Sequence, residues 1–221
     1  HDLDAMRAAV RPDTRLVWIA NPNNPTGTYL PYPQLKEFMR ALPGDVGVAL
    51  DEAYNEYLPA KVSADSKDWL GEFPNLVITR AWSKIDGLAG LRVGYALASA
   101  EIADLMNRVR QPFNCNNLAL AAATAALDDR EFVARSQELN RAGMEQLVAG
   151  FRQLGFEFIP SYGNFVAFRA GDAATVNDKL LRQGVIVRPV AGYGMPEWLR
   201  VTIGTEAENR RFLQALETAR G

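Results

Sequence analysis

Three short apolar runs constrain this chain more than anything else in it. Leu16-Val-Trp-Ile-Ala20, Val46-Gly-Val-Ala-Leu50 and Leu76-Val-Ile-Thr79 begin 30 residues apart, at 16, 46 and 76. Each is almost entirely apolar, as parallel strands covered on both faces must be. Between the first two, Pro33 opens a helix with Leu35, Phe38, Met39 and Leu42 on one side, and Pro43-Gly44 ends it. Alternating strand and helix patterns of this kind predict an α/β unit built on a mostly parallel sheet. Each run also ends in a polar cluster: Asn21-Pro-Asn-Asn-Pro-Thr-Gly27, Asp51-Glu-Ala-Tyr54 and the block around Ser83-Lys84. Ligands of open α/β sheets bind at the carboxyl ends of the strands. Asn24, Asp51, Tyr54, Ser83 and Lys84 are therefore expected to be neighbours.

Further along, Ser99 is placed to cap a helix that aligns Ile102, Leu105, Met106 and Val109. The Ala- and Leu-rich segment 117–127 reads as a buried helix. From residue 131 the character changes. Residues 131–154 read as one long helix, and runs at 155–159, 164–168, 185–187 and 199–203 read as strands. Helices are expected at 173–183 and 206–219, the last opened by a Thr205 to Glu208 capping box. Residues 1–130 and 131–221 are thus expected to form two domains, the second a smaller α+β domain.

Charge and composition exclude several classes. The 221 residues carry a net charge of −2 with a pI near 5.6. That leaves no basic field for nucleic acid and no polybasic patch for a membrane surface. No apolar stretch reaches the roughly 18 residues a membrane span needs. A single cysteine, Cys115, and a single histidine argue against disulfides and zinc. They fit a reducing, cytoplasmic compartment. The sequence opens His1-Asp-Leu-Asp, without an initiator Met or a signal peptide, and reads like the middle of a longer chain.

Lys84 lies in Thr79-Arg-Ala-Trp-Ser-Lys84-Ile-Asp-Gly-Leu-Ala-Gly-Leu-Arg92-Val-Gly94, between two apolar runs. An ammonium enclosed there is costly, and a desolvated lysine amine can attack a carbonyl and hold a cofactor as a Schiff base. The surrounding groups suit pyridoxal phosphate. A carboxylate, Asp51, can hold a protonated ring nitrogen, and the Asn24 amide and Tyr54 hydroxyl can donate to a phenolic oxygen. Ser83 and Arg92 can meet a phosphate.

These motifs, in this order and followed by Leu199-Arg-Val-Thr-Ile-Gly204, resemble the fold-type I aminotransferases, most nearly their histidinol-phosphate aminotransferase branch. The resemblance runs through the whole chain. It implies an α/β fold: the C-terminal part of a mostly parallel large domain that binds pyridoxal phosphate, then a small α+β domain. It implies that Lys84 is the catalytic Schiff-base residue and proton shuttle, and that Asn24, Asp51, Tyr54, Ser83 and Arg92 bind the cofactor. Arg200 would bind the substrate α-carboxylate and Arg188 a distal phosphate, with Asn164 near the substrate. The implied reaction passes nitrogen from histidinol phosphate to 2-oxoglutarate, in a cytoplasmic homodimer. Aromatic amino acid transamination and threonine-phosphate decarboxylation belong to the same branch, and a cofactor-sensing module or an inactive remnant is the non-enzymatic alternative. Such relatives carry a long N-terminal portion before this point, so the chain reads as N-terminally truncated and is not expected to be competent alone.

Two positions depart from the family pattern. Ala81 stands where a hydroxyl usually meets the cofactor phosphate, and Asp86 where an aromatic is common. Other residues are expected to do structural work: Trp82 in the core, Glu52 and Glu56 on a solvated face, and Cys115 as an inert small residue.

Overall fold

Parallel pairing of apolar strands organises the first half of the protein. The computed structural model describes residues 1–63 and 65–220. The chain divides into two compact units: His1–Asn23 with Tyr29–Val133, and Asn24–Thr28 with the chain from Ala134 onward. In chain order the first unit contains α1 (Leu3–Ala8), β1 (Leu16–Ala20), α2 (Tyr32–Arg40), β2 (Gly47–Asp51), β3 (Leu76–Ala81), β4 (Gly94–Ala98), α3 (Ala100–Val109) and α4 (Asn117–Ala126). The long helix α5 (Arg130–Leu154) runs from this unit into the second, which adds β5 (Phe165–Arg169), α6 (Ala173–Arg182), β6 (Arg188–Pro189), β7 (Trp198–Thr202) and α7 (Glu206–Arg220).

The first sheet has the order β1-β2-β3-β4. The first three strands are parallel and in register, with Ala20 opposite Asp51 and Asp51 opposite Thr79. Strand β4 runs antiparallel to β3, so the sheet is mixed. Ile19, Val48, Leu50, Leu76 and Ile78 are buried, and Leu35, Phe38 and Met39 of α2 are buried as the amphipathic pattern requires.

Two apolar segments are less enclosed than their composition suggests. β1 is not covered on both faces: Leu16 and Trp18 are 55% and 57% exposed, while Val17 and Ile19, which alternate with them onto the other face, are buried. α4 is not a buried helix. Only Ala119 and Ala123 are enclosed, against Val93, while Leu118 and Leu120 are exposed; an apolar composition does not bury a helix unless another element covers it. The aligned residues of α3 are likewise exposed at Leu105, Met106 and Val109.

In the second unit, a three-stranded antiparallel sheet of order β5-β7-β6 packs with α5, α6 and α7. Leu147 and Phe151 of α5, Val166 and Phe168 of β5, Leu180 of α6, Leu199 of β7, and Phe212 and Leu216 of α7 form its buried core. Phe151 stacks on Phe168 at 4.9 Å between centroids. The capping box forms: Thr205 N donates to Glu208 Oε2 at 2.8 Å, and Glu208 N to Thr205 Oγ1 at 3.4 Å. Of the expected strands, 155–159 is reduced to a single bridge, Phe158 with Phe168, and 185–187 is replaced by the two-residue β6 at 188–189. Both lie where β-character depends on finding a partner strand, and local composition does not specify that. No helix among the described residues is long and apolar enough to cross a membrane.

Candidate active site

Two sets of predicted residues are built, one in each unit. In the first, β2 ends at Asp51, and its backbone is fixed from both sides. Asn21 N donates to Asp51 O, and Glu52 N donates to Thr79 O, each at 2.9 Å. The half-buried carboxylate of Asp51 accepts from Ala53 N at 3.0 Å, so the chain turns tightly around it. The turn leads to Tyr54, which is buried at the head of a short 3₁₀ turn over Asn55–Tyr57.

The block after β3 also closes by local bonds: Leu88 N donates to Trp82 O at 2.9 Å and Gly87 N to Lys84 O at 3.1 Å. Ile85 is buried and anchors the turn, while Lys84 projects from it. Lys84 Nζ lies 5.4 Å from the centroid of the Tyr54 ring, a cation–π arrangement that orients the amine over the phenol. Lys84 is exposed, contrary to the expectation of an ammonium enclosed between core strands. The antiparallel turn between β3 and β4 lifts it out of the sheet, so its reactivity cannot rest on burial in this unit.

Ser83 is half-buried in the same turn. Arg92 is exposed and adopts left-handed backbone geometry (φ 57°, ψ 47°), with Nη1 donating to Ala89 O at 2.9 Å. A non-glycine residue held there costs about 1–3 kcal/mol of strain. Ala81 closes β3 opposite Gly94. Asp86 is half-buried, and burial pushes its carboxyl above the usual range, opposed by its own backbone N–H. Trp82 packs against the Val93, Ala119 and Ala123 cluster and tilts on Tyr95 at 4.6 Å, a structural role.

In the second unit, Arg200 of β7 is half-buried with its guanidinium 4.7 Å from the Phe165 ring centroid. Its Nη1 donates to Asn24 Oδ1, and its buried Nε has no hydrogen-bond partner within the protein. An orphaned donor on a buried guanidinium edge is costly unless an acceptor arrives, and a carboxylate matches that edge in shape and charge. Arg188 of β6 stands directly opposite Arg200 in the sheet register and is exposed. Two like charges so paired repel unless an anion is shared between them. The Asn164 carbonyl accepts from Ile203 N at 2.9 Å, and Asn140 Nδ2 donates to the adjacent Gly163 carbonyl at 3.3 Å.

Asn24 belongs with Arg200 in the second unit, because the segment 24–28 is tied there: Tyr162 N donates to Gly27 O at 2.8 Å. Gly27 has φ +76°, and a Cβ on it would lie 2.1 Å from Ser161 Oγ. Only glycine allows this approach.

Glu52 does not lie on the solvated face expected of it. Its side chain is fully buried and paired with Arg80, not solvated. The period-2 alternation after Asp51 was the available signal, since it sends Glu52 to the covered face. Glu56 is half-buried rather than solvated, and its carboxyl is pushed up to about 6. Burial is the main cause, with Asp86 and Glu52 adding to it and its own backbone N–H and Arg80 opposing.

Comparison with known proteins gives a consistent result. Residues 1–216 match the family described as aminotransferase class I and II. The histidinol-phosphate aminotransferase 1 of Dechloromonas aromatica (strain RCB) is 71% identical over 219 residues, covering 99% of this chain and 60% of its own length. The histidinol-phosphate aminotransferase 2 of Nitrosospira multiformis is 59% identical, covering 100% and 58%. Among solved structures, the histidinol-phosphate aminotransferase from Sinorhizobium meliloti in complex with pyridoxal-5'-phosphate aligns with a TM-score of 0.91 at 31% identity, over 99% of this chain and 61% of that one. The chain spans about 60% of the length of the curated relatives it matches.

Proposed function

Because the chain belongs to the class I and II aminotransferase family, we propose that its parent protein performs pyridoxal phosphate-dependent transamination, with histidinol phosphate as amino donor and 2-oxoglutarate as acceptor. The observation that carries this reading is the Arg200 guanidinium, held by Asn24 and Phe165 with an unpaired buried Nε and a second arginine opposite it. That pair suits substrates with a carboxylate or a phosphate. The names of the relatives at 71% and 59% identity support the choice of histidinol phosphate.

The residues present fit the cofactor. Lys84 supplies an amine to hold it covalently, Asp51 a carboxylate for its ring nitrogen, and Tyr54 and Asn24 donors for its phenolic oxygen. Ser83 and Arg92 supply a hydroxyl and a cation for its phosphate. The orphaned Nε of Arg200 leaves a place for the anion of a substrate. When bound, the cofactor supplies an electron sink conjugated to the substrate nitrogen. The protein's own work is positional and protic. Lys84 Nζ, aimed by the Tyr54 ring, takes a proton from the nitrogen-bearing carbon of the donor and later returns one to the acceptor. Asp51 would stabilise a proton on the cofactor's ring nitrogen. Arg200 fixes the carboxylate of glutamate or 2-oxoglutarate through two N–H donors, and Arg188 meets the phosphate of the alternate substrate.

A homodimer is the assembly expected of the parent protein. The exposed apolar side chains of Leu105, Met106, Val109 and Phe113 support a covering partner surface. A cytoplasmic location agrees with the single Cys115.

The test adds pyridoxal phosphate to the full-length protein and records the visible band of a lysine-bound cofactor. Lys84→Ala is expected to abolish the band and turnover. A band of the same intensity and position in the variant overturns the assignment of Lys84. Turnover that prefers phenylalanine over histidinol phosphate overturns the choice of substrate.

A further inference from the structure

A buried, fully desolvated carboxylate lies beside the candidate site with no part in the chemistry above. The Glu52 side chain is 0% exposed, and that of its partner Arg80, on β3, is 13% exposed. Arg80 Nε and Nη2 each lie 2.9 Å from Glu52 Oε2. Arg80 Nη2 also donates to Asp65 Oδ1 at 3.2 Å and to Ser66 Oγ at 3.3 Å. Above the carboxylate, the Tyr32 hydroxyl donates to Asn55 Oδ1 at 2.7 Å and lies 3.4 Å from Glu52 Oε1, with its ring edge-on to Trp69 at 4.9 Å. Burial pushes the Glu52 carboxyl up, and the hydrogen bond from Ser66 and the charge of Arg80 oppose it. Burial also raises Tyr32 further above its ordinary range, helped by the nearby Glu52 charge.

The placement of the pair follows from strand geometry. Glu52 directly follows Asp51, and Glu52 N still bonds Thr79 O, so the ladder continues and the two acidic side chains leave the end of β2 on opposite faces. Arg80 follows Thr79, the register partner of Asp51, and precedes Lys84 by four residues. The ion pair therefore joins the end of β2, next to Asp51, to the end of β3, four residues before Lys84, on the face away from Asp51. Stability does not account for it. Buried pairs are commonly no better than apolar replacements of the same volume. What a guanidinium adds over apolar packing is direction, since its N–H groups hold a carboxylate at a fixed angle and distance.

We infer that Glu52 and Arg80 are a positioning pair, whose buried contact fixes the end of β2 against the end of β3 and holds Asp51 and Lys84 at the separation that catalysis requires. This rests on the aminotransferase reading of Asp51 and Lys84. It assigns the pair to geometry, without contact with substrate or cofactor.

The experiment compares Glu52→Leu with Arg80→Met as a double variant, and Glu52→Gln alone, in the full-length protein. Three quantities are read: the melting temperature without cofactor, the pyridoxal phosphate dissociation constant from the visible band, and kcat with KM for 2-oxoglutarate well below the melting temperature. The double variant is expected to melt within a few degrees of the parent, to bind cofactor about tenfold more weakly, and to lose about tenfold in kcat. KM should change less than about twofold, because Arg200 is untouched. Glu52→Gln keeps an oxygen in the same place but loses the charge that directs the guanidinium, and is expected to lie between the double variant and the parent, about threefold below the parent in kcat. A double variant that matches the parent in kcat and cofactor affinity overturns the inference. If the double variant does not fold, Glu52→Gln decides: a fall in kcat of about threefold or more at unchanged melting temperature supports the pair, and unchanged kcat overturns it. Lys84→Ala separates the two readings. A band that survives in it removes the catalytic assignment itself, whereas a band lost there beside parental Glu52 variants removes only the positioning role.

Discussion

Gly27→Ala is a sharp test of how the backbone builds the second set of residues. Gly27 has φ +76°, and an ideal Cβ there lies 2.1 Å from Ser161 Oγ, 2.5 Å from Ser161 Cβ and 3.0 Å from Ser161 Cα. Two costs add. An L-residue in the left-handed region costs about 1–2 kcal/mol, and forcing a methyl into an occupied space costs about 1–3 kcal/mol. The variant should lose roughly 2–5 kcal/mol, a large share of the stability of an ordinary domain. Ser161→Gly removes the obstructing Oγ and Cβ, and with them the acceptor for Gly163 N, now at 3.1 Å; that loss alone costs about 1 kcal/mol. The double variant should then keep only the backbone and hydrogen-bond costs, so the pair couples favourably by about 1–3 kcal/mol. Urea unfolding of the four proteins measures this cycle. The same displacement moves the segment carrying Asn24, the acceptor for Arg200, so KM for 2-oxoglutarate should rise about tenfold in Gly27→Ala. Stability of Gly27→Ala within about 0.5 kcal/mol of the parent, or a coupling near zero between Gly27→Ala and Ser161→Gly, would refute the reasoning.

Two further outcomes follow from charge. The Glu56 carboxyl is raised from 4.5 to about 6 by burial, so its neutral form is the one the fold prefers. That preference favours folding fully below about 4.5 and is lost as pH rises through about 6. Glu56→Gln should therefore raise stability at pH 8 by up to about 2 kcal/mol and give no gain at pH 4; melting temperatures at the two pH values check it, and an equal change at both counts against it. Arg188→Ala, which relieves the like-charge pairing with Arg200 across β6 and β7, should weaken turnover of histidinol phosphate about tenfold more than that of phenylalanine. Steady-state kcat/KM for the two substrates measures the difference, and equal losses remove the proposed role of Arg188.

Much of the fold was legible because its signals are local. The runs at 16–20, 46–50 and 76–79 became β1, β2 and β3, since a continuous apolar stretch between turn residues has few other stable uses. The Ser99 cap formed, with Ile102 N donating to Ser99 Oγ at 3.4 Å, as did the Thr205 to Glu208 box, because caps join residues three apart. What failed depended on partners far along the chain. β6 formed at Arg188–Pro189 rather than 185–187 because β7 offers its ladder there. α4 stayed largely exposed although its Ala and Leu content suggested a core.

The candidate site divides in the same way. The chemical identities of Lys84, Asp51, Tyr54, Arg92 and Arg200 were readable as residue types at strand ends, and so was the kind of cofactor they suit. The sequence by itself determined that much, because reactivity is a property of side chains and their local spacing. Only the tertiary structure set Lys84 over the Tyr54 ring, tied Asn24 to Arg200, and buried Glu52 against Arg80. Those are contacts between segments 30, 176 and 28 residues apart, as the numbers 54 and 84, 24 and 200, and 52 and 80 show. Which face is covered, and which charge must find a partner, depends on what the rest of the chain packs against it.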